Sequence, residues 1–222
     1  YRLWDAPQTQ SLRPYAEPEI VSADLAGLVL DCAEWGAIDA TAMTWLDPPP
    51  KAALASAQSE LRRIGALDGD GRITDEGRRL RALPLPPRLA RMVTAAAAIG
   101  TEAAHLAAEI AAVIVERGTG GNDTDLDVRL AAFRRDRAPR TADMRRLAEG
   151  WAHTACQTSP DGCVAQQRHA RDPGRPTAAA LLALAFPDRI AKARGAAGEF
   201  LLASGRAGRV SDTDALARAP WL

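Results

Sequence analysis

The stretch Gly65-Ala66-Leu67-Asp68-Gly69-Asp70-Gly71-Arg72-Ile73-Thr74-Asp75-Glu76 decides how the first part of this 222-residue chain is read. Two short apolar strokes flank an Asp-Gly turn, the pattern of a small β-hairpin. Thr74 stands where an N-cap belongs, and Asp75-Glu76 place negative charge at the positive end of a following helix. Upstream, Asp47-Pro48-Pro49-Pro50 opens a helix, because proline is tolerated in a first turn. That helix carries Ala53, Leu54, Ala57, Leu61 and Ile64 at helical spacing and stops at Gly65. Before it, Leu25, Leu28, Val29, Cys32 and Ala33 show the same period, with Ser22 as the expected N-cap and Gly36 as the stop. Helix, helix, hairpin and flanking helix amount to a winged helix-turn-helix, expected over residues 20–85.

Outward from this unit, residues 1–19 hold Pro7, Pro14 and Pro18 without a clear period and read as a linker. Pro84–Pro87 punctuates the chain on the other side. Beyond it, helices are expected at about 88–99, 102–116, 125–136, 142–156 and 177–186, as a bundle over 86–196. Alanine runs such as Ala95–Ala98 and Ala178–Ala180 favour helix, since alanine loses the least side-chain freedom there. Aromatic residues make up only 5%, so alanine and leucine must fill the interior, and the fold class is mainly α. Near the end, Glu199–Ala203 and Gly208–Val210 look like strands around a glycine-rich turn. They show no evident partner before Leu222, which implies that residues 197–222 begin a β-domain continuing beyond the chain. A start at Tyr1 is what a piece of a longer protein would show.

Formal charge is zero, from 28 basic and 28 acidic residues, but it is unevenly spread. Residues 1–50 carry two basic against eight acidic side chains, and residues 51–100 carry nine against five. Residues 129–146 carry seven arginines against Asp136 and Asp143. Local patches therefore matter more for polyanion binding than the net value. Three cysteines are too few for a secreted disulfide framework. There is no apolar run of membrane-spanning length and no signal peptide, so a soluble cytoplasmic protein without membrane contact is expected.

The phrases, taken in order, resemble one family. Tyr1-Arg2-Leu3-Trp4 is similar to the segment that follows the last motor motif of DEAH/RHA helicases, and Tyr15-Ala16-Glu17-Pro18-Glu19-Ile20 to the entry into their winged helix. Trp45-Leu46-Asp47-Pro48-Pro49-Pro50 and Gly65-Ala66-Leu67-Asp68 fit that winged helix, and Leu83–Met92 resembles the start of the helical "ratchet" bundle. Trp35-Gly36, the Trp45–Pro50 phrase, Leu181–Ala191 and Phe200–Arg206 resemble the HrpB subfamily. The resemblance covers nearly the whole chain. It implies the accessory region of an ATP-dependent helicase, with single-stranded nucleic acid, expected to be RNA, as partner. The RecA-like motor domains would bind ATP and Mg²⁺, and an activator protein is a further conceivable partner. This sequence has no G-x-x-x-x-G-K-[ST] phosphate loop and no DEAH carboxylates, so no ATP hydrolysis, catalytic residue or bound cofactor is expected of it.

Candidate contacts to nucleic acid are arginines. Arg62, Arg63, Arg78, Arg79, Arg81, Arg88 and Arg91 form one cluster, of which Arg88 and Arg91 open the bundle. Arg129, Arg134, Arg135, Arg137, Arg140, Arg145 and Arg146 form another, where two helix ends across Pro139 could share a face. Arg88, Arg91, Arg134, Arg135, Arg145 and Arg146 are the candidates to face a strand. The other reading is a solvated face, or pairing with the acids of residues 1–50 or with the motor. His153, Cys156, Cys163 and His169 supply four zinc-type ligands, but an ordinary helix end and loop is the favoured account, and no metal is expected. Gly205-Arg206-Ala207-Gly208-Arg209 has the form of a helicase arginine finger but stands far from where that motif belongs, so a turn is expected. The five tryptophans, Trp35 and Trp45 among them, are expected to pack, and His105 to sit in the core.

The main alternatives are a winged-helix regulator of duplex DNA and a protein-interaction module. The regulator needs a basic helix within residues 50–64, which holds only Lys51, Arg62 and Arg63.

Overall fold

The computed structural model describes residues 15–160 and 176–222, together with Asp5 and Pro7. A 3-10 turn at Glu19–Val21 leads in, and helix α1 spans Ala26–Glu34. Ser22 closes the 3-10 turn by donating its N–H to Glu19, so it does not cap α1 as expected. Asp24 takes over instead, its Oδ1 accepting the Ala26 N–H at 2.9 Å and delaying the helix start. Gly36, at φ +85°, ends α1 with Ala37 N–H reaching back to the Cys32 carbonyl at 2.8 Å. Helix α2, Lys51–Arg63, starts directly after the proline run and ends in the same way at Gly65.

The wing is smaller than a full hairpin. Leu67 and Ile73 form a single antiparallel bridge, and Asp68 Oδ1 gathers the N–H groups of Asp70 and Arg72 at 2.9 and 2.8 Å. Thr74 caps helix α3, Asp75–Arg81, by accepting from Gly77 N at 3.0 Å. Gly77 lies so close to the wing base that a Cβ there would stand 2.3 Å from the Ala66 carbonyl oxygen.

The bundle comprises α4 (Pro87–Ile99), α5 (Thr101–Val115), α6 (Leu126–Arg135), α7 (Pro139–Thr158) and α8 (Ala178–Ala185). Helix α5 is the axle: it packs on α4, α6, α7 and α8. Its Ala103, Ala104, Ala107, Ala108, Ala111 and Ala112 are all buried, and such small side chains let neighbouring helices approach closely. One apolar core runs without interruption from Leu25 at the start of α1 to Ala185 in α8, so winged helix and bundle share an interior across Pro84–Pro87.

After a 3-10 turn at Pro187–Arg189 comes an antiparallel sheet in the order β1 (Ala191–Ala193), β2 (Glu199–Leu202), β3 (Ala207–Arg209). The two strands expected from sequence thus do have a partner. Strand β1 escaped notice because Ala-Lys-Ala is short and weak in strand preference. Its outer edge is taken in turn by residues 220–222: Ala193 N donates to Pro220 O at 3.0 Å, and Ala191 and Leu222 exchange hydrogen bonds of 2.7 and 2.8 Å. The sheet buries Ala191 and Phe200 separately from the continuous core.

Candidate nucleic-acid interface

The first arginine cluster turns inward. Arg88, on the first turn of α4, grips Glu60 of α2 with Nε and Nη2 at 2.6 and 2.8 Å, while Nη1 reaches Asp188 at 2.6 Å. Only 18% of the Arg88 side chain is exposed. Its hydrogen bond to Glu60, and then that to Asp188, raise the guanidinium pKa further against the opposing effect of burial. Burial acts against the ionised Asp188 as well, yet the hydrogen bond from Arg88 holds its carboxyl below the usual range. Arg91 donates to the Ile64 carbonyl at 3.2 Å, closing the end of α2, where a cation is favoured. The arginines of α3 pair with acids of the first fifty residues and of their own helix: Arg81 with Asp31 at 2.7 Å, Arg78 with Glu34 at 3.7 Å, Arg79 with Glu76 at 2.6 Å. In this cluster only Arg78 and Arg81 meet acids of residues 1–50, as one alternative had it; Arg79 and Arg88 find carboxylates farther along the chain.

The second cluster divides. Arg134 on α6 holds Glu109 of α5 through Nε and Nη2 at 2.9 and 2.5 Å, although half its side chain is exposed. Arg145 on α7 folds back to the carbonyls of Phe133 and Asp136 at 2.8 and 2.7 Å and lies over the Phe133 ring. Arg146 pairs with Asp143 in its own helix at the open surface. Arg140 pairs with Glu116, which brings the α6–α7 turn beside the end of α5. On that turn Arg135 has a single backbone contact, to Ala131 at 3.1 Å, and both it and Arg137 are exposed. Arg117, next to Glu116, is exposed too. The turn itself is stiff: Asp136 accepts from Thr141 at 2.6 Å and from Ala138 N at 2.9 Å, and these bonds lower its pKa. The arrangement therefore presents Arg117, Arg135 and Arg137 at one end of the bundle, on a rigid base, with donors free for phosphate oxygens. Arg117 was missed because it stands outside the dense run of arginines, and only the α5–α7 packing brings it there.

Other sequence-level candidates fall differently. His105 is exposed, not in the core; it shares the polar stripe Glu102–His105–Glu109 at i, i+3, i+7 on α5. It opens onto a groove of about 670 Å³ with Glu109, Asp127 and Arg134. Trp45 and Trp151 pack as expected, Trp45 also donating to Ala40 O at 2.7 Å. Trp35 does not: it follows the last turn of α1 off the stripe of Ala26, Val29 and Ala33, and is 79% exposed. Trp221 is exposed as well, with Lys192 over its ring, while Trp4 lies outside the described residues. Of the zinc-type set, Cys163 and His169 lie outside the described residues, and His153 meets Gln157 at 2.9 Å. Among the described residues no group of three or more His, Cys, Asp or Glu could hold a metal ion. The Gly205–Arg209 segment holds the end of the β2–β3 turn, as expected, and the whole of β3.

Comparison with known proteins decides the kinship. The family model for the helicase-associated (HA2) winged-helix domain matches residues 57–85, from within α2 through the wing and α3. The chain is 35% identical over 217 residues, 97% of its length, to ATP-dependent RNA helicase HrpB of Escherichia coli (strain K12). A crystal structure of E. coli DExH-box NTPase HrpB matches it with a TM-score of 0.71 and 31% identity over 98% of the chain. The chain is an HrpB-type region of the DEAH/RHA helicases. A second crystal structure, of E. coli DEAH/RHA helicase HrpB, gives a TM-score of 0.72 at 32% identity, again over 98% of the chain. This HrpB-type region is also 34% identical over 100 residues, 45% of its length, to probable ATP-dependent RNA helicase DHR2 of Saccharomyces cerevisiae, covering 14% of that protein. It spans about a quarter of the length of HrpB, 24% by sequence and 24 to 25% of the solved chains.

Proposed function

We propose that this HrpB-type region is the strand-contacting and motor-coupling part of an ATP-dependent RNA helicase, with ATP and Mg²⁺ bound on RecA-like motor domains. The observation that carries the reading is the similarity to an RNA helicase along 97% of the chain. The exposed end of the bundle with Arg117, Arg135 and Arg137 supports a phosphate-backbone contact; Arg134 and Arg146 flank it, and Arg88, Arg91 and Arg145 hold the scaffold. Backbone contact of this kind is indifferent to sequence and steep in salt. Motor coupling is supported by the winged helix, which exposes Trp35 at 79% and Leu46 at 99%. No described helix is long and apolar enough to cross a membrane, in keeping with work in the cytoplasm.

The test is fluorescence anisotropy with short single-stranded RNA, single-stranded DNA and duplex DNA at two salt concentrations. Weak, salt-steep binding to single strands is expected. Tight binding to duplex DNA alone would overturn the reading in favour of a regulator. Against a regulator, α2 offers only Lys51, Arg62 and Arg63 as basic side chains, and two of these have partners in the fold, Arg62 donating to Asp68 O at 3.3 Å and Arg63 lying 3.7 Å from Asp188. A second reading, the seat of a basic activator protein, draws on the exposed Trp35 next to Glu34 and Leu46 next to Asp47. Failure of basic proteins to bind in a pull-down would end it.

A further inference from the structure

Three stretches distant in sequence meet at one guanidinium. Arg88 extends from α4, Glu60 comes from α2 in the winged helix, and Asp188 comes from the turn between α8 and β1. Asp188 works twice. Its carboxylate takes Arg88 and has Arg63 at 3.7 Å, while its main-chain carbonyl accepts the N–H of Ser204 at 3.2 Å from the β2–β3 turn. Two residues after Asp188 the sheet is again tied to this segment, Ala203 N donating to Ile190 O at 2.7 Å. Phe186, just ahead of the turn, lies under both Arg88 and Arg189, whose guanidinium carbons are 5.6 and 4.7 Å from the ring centroid.

The sheet needs such a tie. Its buried residues, Ala191 and Phe200, lie outside the continuous helical core. A second polar contact follows the sheet in sequence, where Thr124 Oγ1 donates to Asp214 Oδ2 at 2.6 Å just before the 3-10 turn Ala215–Arg218. A sheet seated largely through polar contacts can leave its seat at smaller cost than a helix can leave the core.

We propose that Glu60, Arg88 and Asp188 form a latch that fixes the three-stranded sheet to the winged helix and bundle, so that opening it frees the sheet while the helices stay folded. Arginine is needed because its planar fork satisfies a carboxylate with two nitrogens and still offers a third donor to a second acid, in directions an ammonium group does not hold. The inference is independent of nucleic-acid binding.

Hydrogen–deuterium exchange read by mass spectrometry on the intact chain tests it, using Arg88→Ala, Arg88→Lys and Asp188→Asn. In all three variants, amides of residues 191–209 should accelerate at least about tenfold more than those of α4 and α5; that factor is a local opening made easier by one tenfold step in equilibrium constant. Equal acceleration in α4 and α5 would overturn the latch, because the contact would then be only a share of global stability. Unchanged exchange of the sheet in Asp188→Asn would overturn it as well. Asp188 is a third exposed, so its variant carries the test if Arg88→Ala does not fold.

Discussion

Arg88 and Arg137 both lie within two residues of a proline that opens a helix, in stretches rich in arginine, yet they end in opposite situations. Arg88 has three nitrogens on two carboxylates and is mostly covered. Arg137 is exposed on a turn braced by Asp136 and Thr141. What separates them is the supply of acids that folding brings within reach. Around the winged helix, Asp31, Glu34, Glu60, Glu76 and Asp188 absorb the arginines nearly one for one. At the α6–α7 turn, Glu109 and Glu116 absorb Arg134 and Arg140, and Arg135 and Arg137 are left over. Density of positive charge in a sequence is therefore a poor guide to positive surface; the excess over local carboxylates is the better one.

This contrast can be broken most directly at Arg88. Arg88→Ala leaves Glu60 largely buried without its partner, and should lower unfolding free energy by on the order of 3 kcal/mol, read as a shifted urea midpoint. Arg137→Ala should change the same midpoint by no more than about 0.5 kcal/mol. If the two losses are equal, the division into inward and outward arginines fails. In binding the order reverses. The double variant Arg135→Ala with Arg137→Ala should flatten the plot of log affinity against log salt for single-stranded RNA by roughly 1.4, about 0.7 for each lost phosphate contact. An unchanged slope would move the contact elsewhere on the bundle.

A smaller effect is expected from acid. Asp188 is held below its ordinary value of 3.8, so the stability it supplies is complete above that value and is lost as pH falls through the lowered one. Arg88 and Arg63 keep their charge throughout and Glu60 shares the fork, so sheet amides should lose protection before those of α5, as exchange at stepped low pH would show. The smallest effect belongs to Arg146→Ala. Its pair with Asp143 is 75% and 61% exposed, and its loss should alter stability by about 0.5 kcal/mol or less. A larger value would mean that the exposed pairs of the second cluster carry weight assigned here to the buried ones.

Much of the fold was legible because its signals are local. Thr74 capping α3, the prolines before α2, and Gly36 and Gly65 closing their helices are each decided by a few neighbouring atoms. The family likeness was legible in the same way, through phrases such as Trp45–Pro50. Strand β1 was not, since three residues of weak preference become a strand only when β2 and the chain's last residues pair with them. Nor was the fate of Arg88, whose partners stand 28 and 100 residues away. Trp35 and His105 lie exposed for a simpler reason: the helical wheel puts both off the apolar stripe, and position there outweighs residue type.

The alanines of α5 set an unusual rule for what this region can withstand. Trimming an interior made largely of methyl groups removes little, so the familiar route to damage, a large side chain replaced by a small one, is open along Ala103–Ala112 chiefly at Ile110. Growth is the hazard. A valine or leucine at Ala104, Ala107, Ala108 or Ala111, all wholly buried, would wedge α4 and α7 away from the axle, at about 1–3 kcal/mol for each site. Inherited variation should therefore drift toward glycine and serine at these places and away from bulk, the reverse of the pattern in a leucine-filled core.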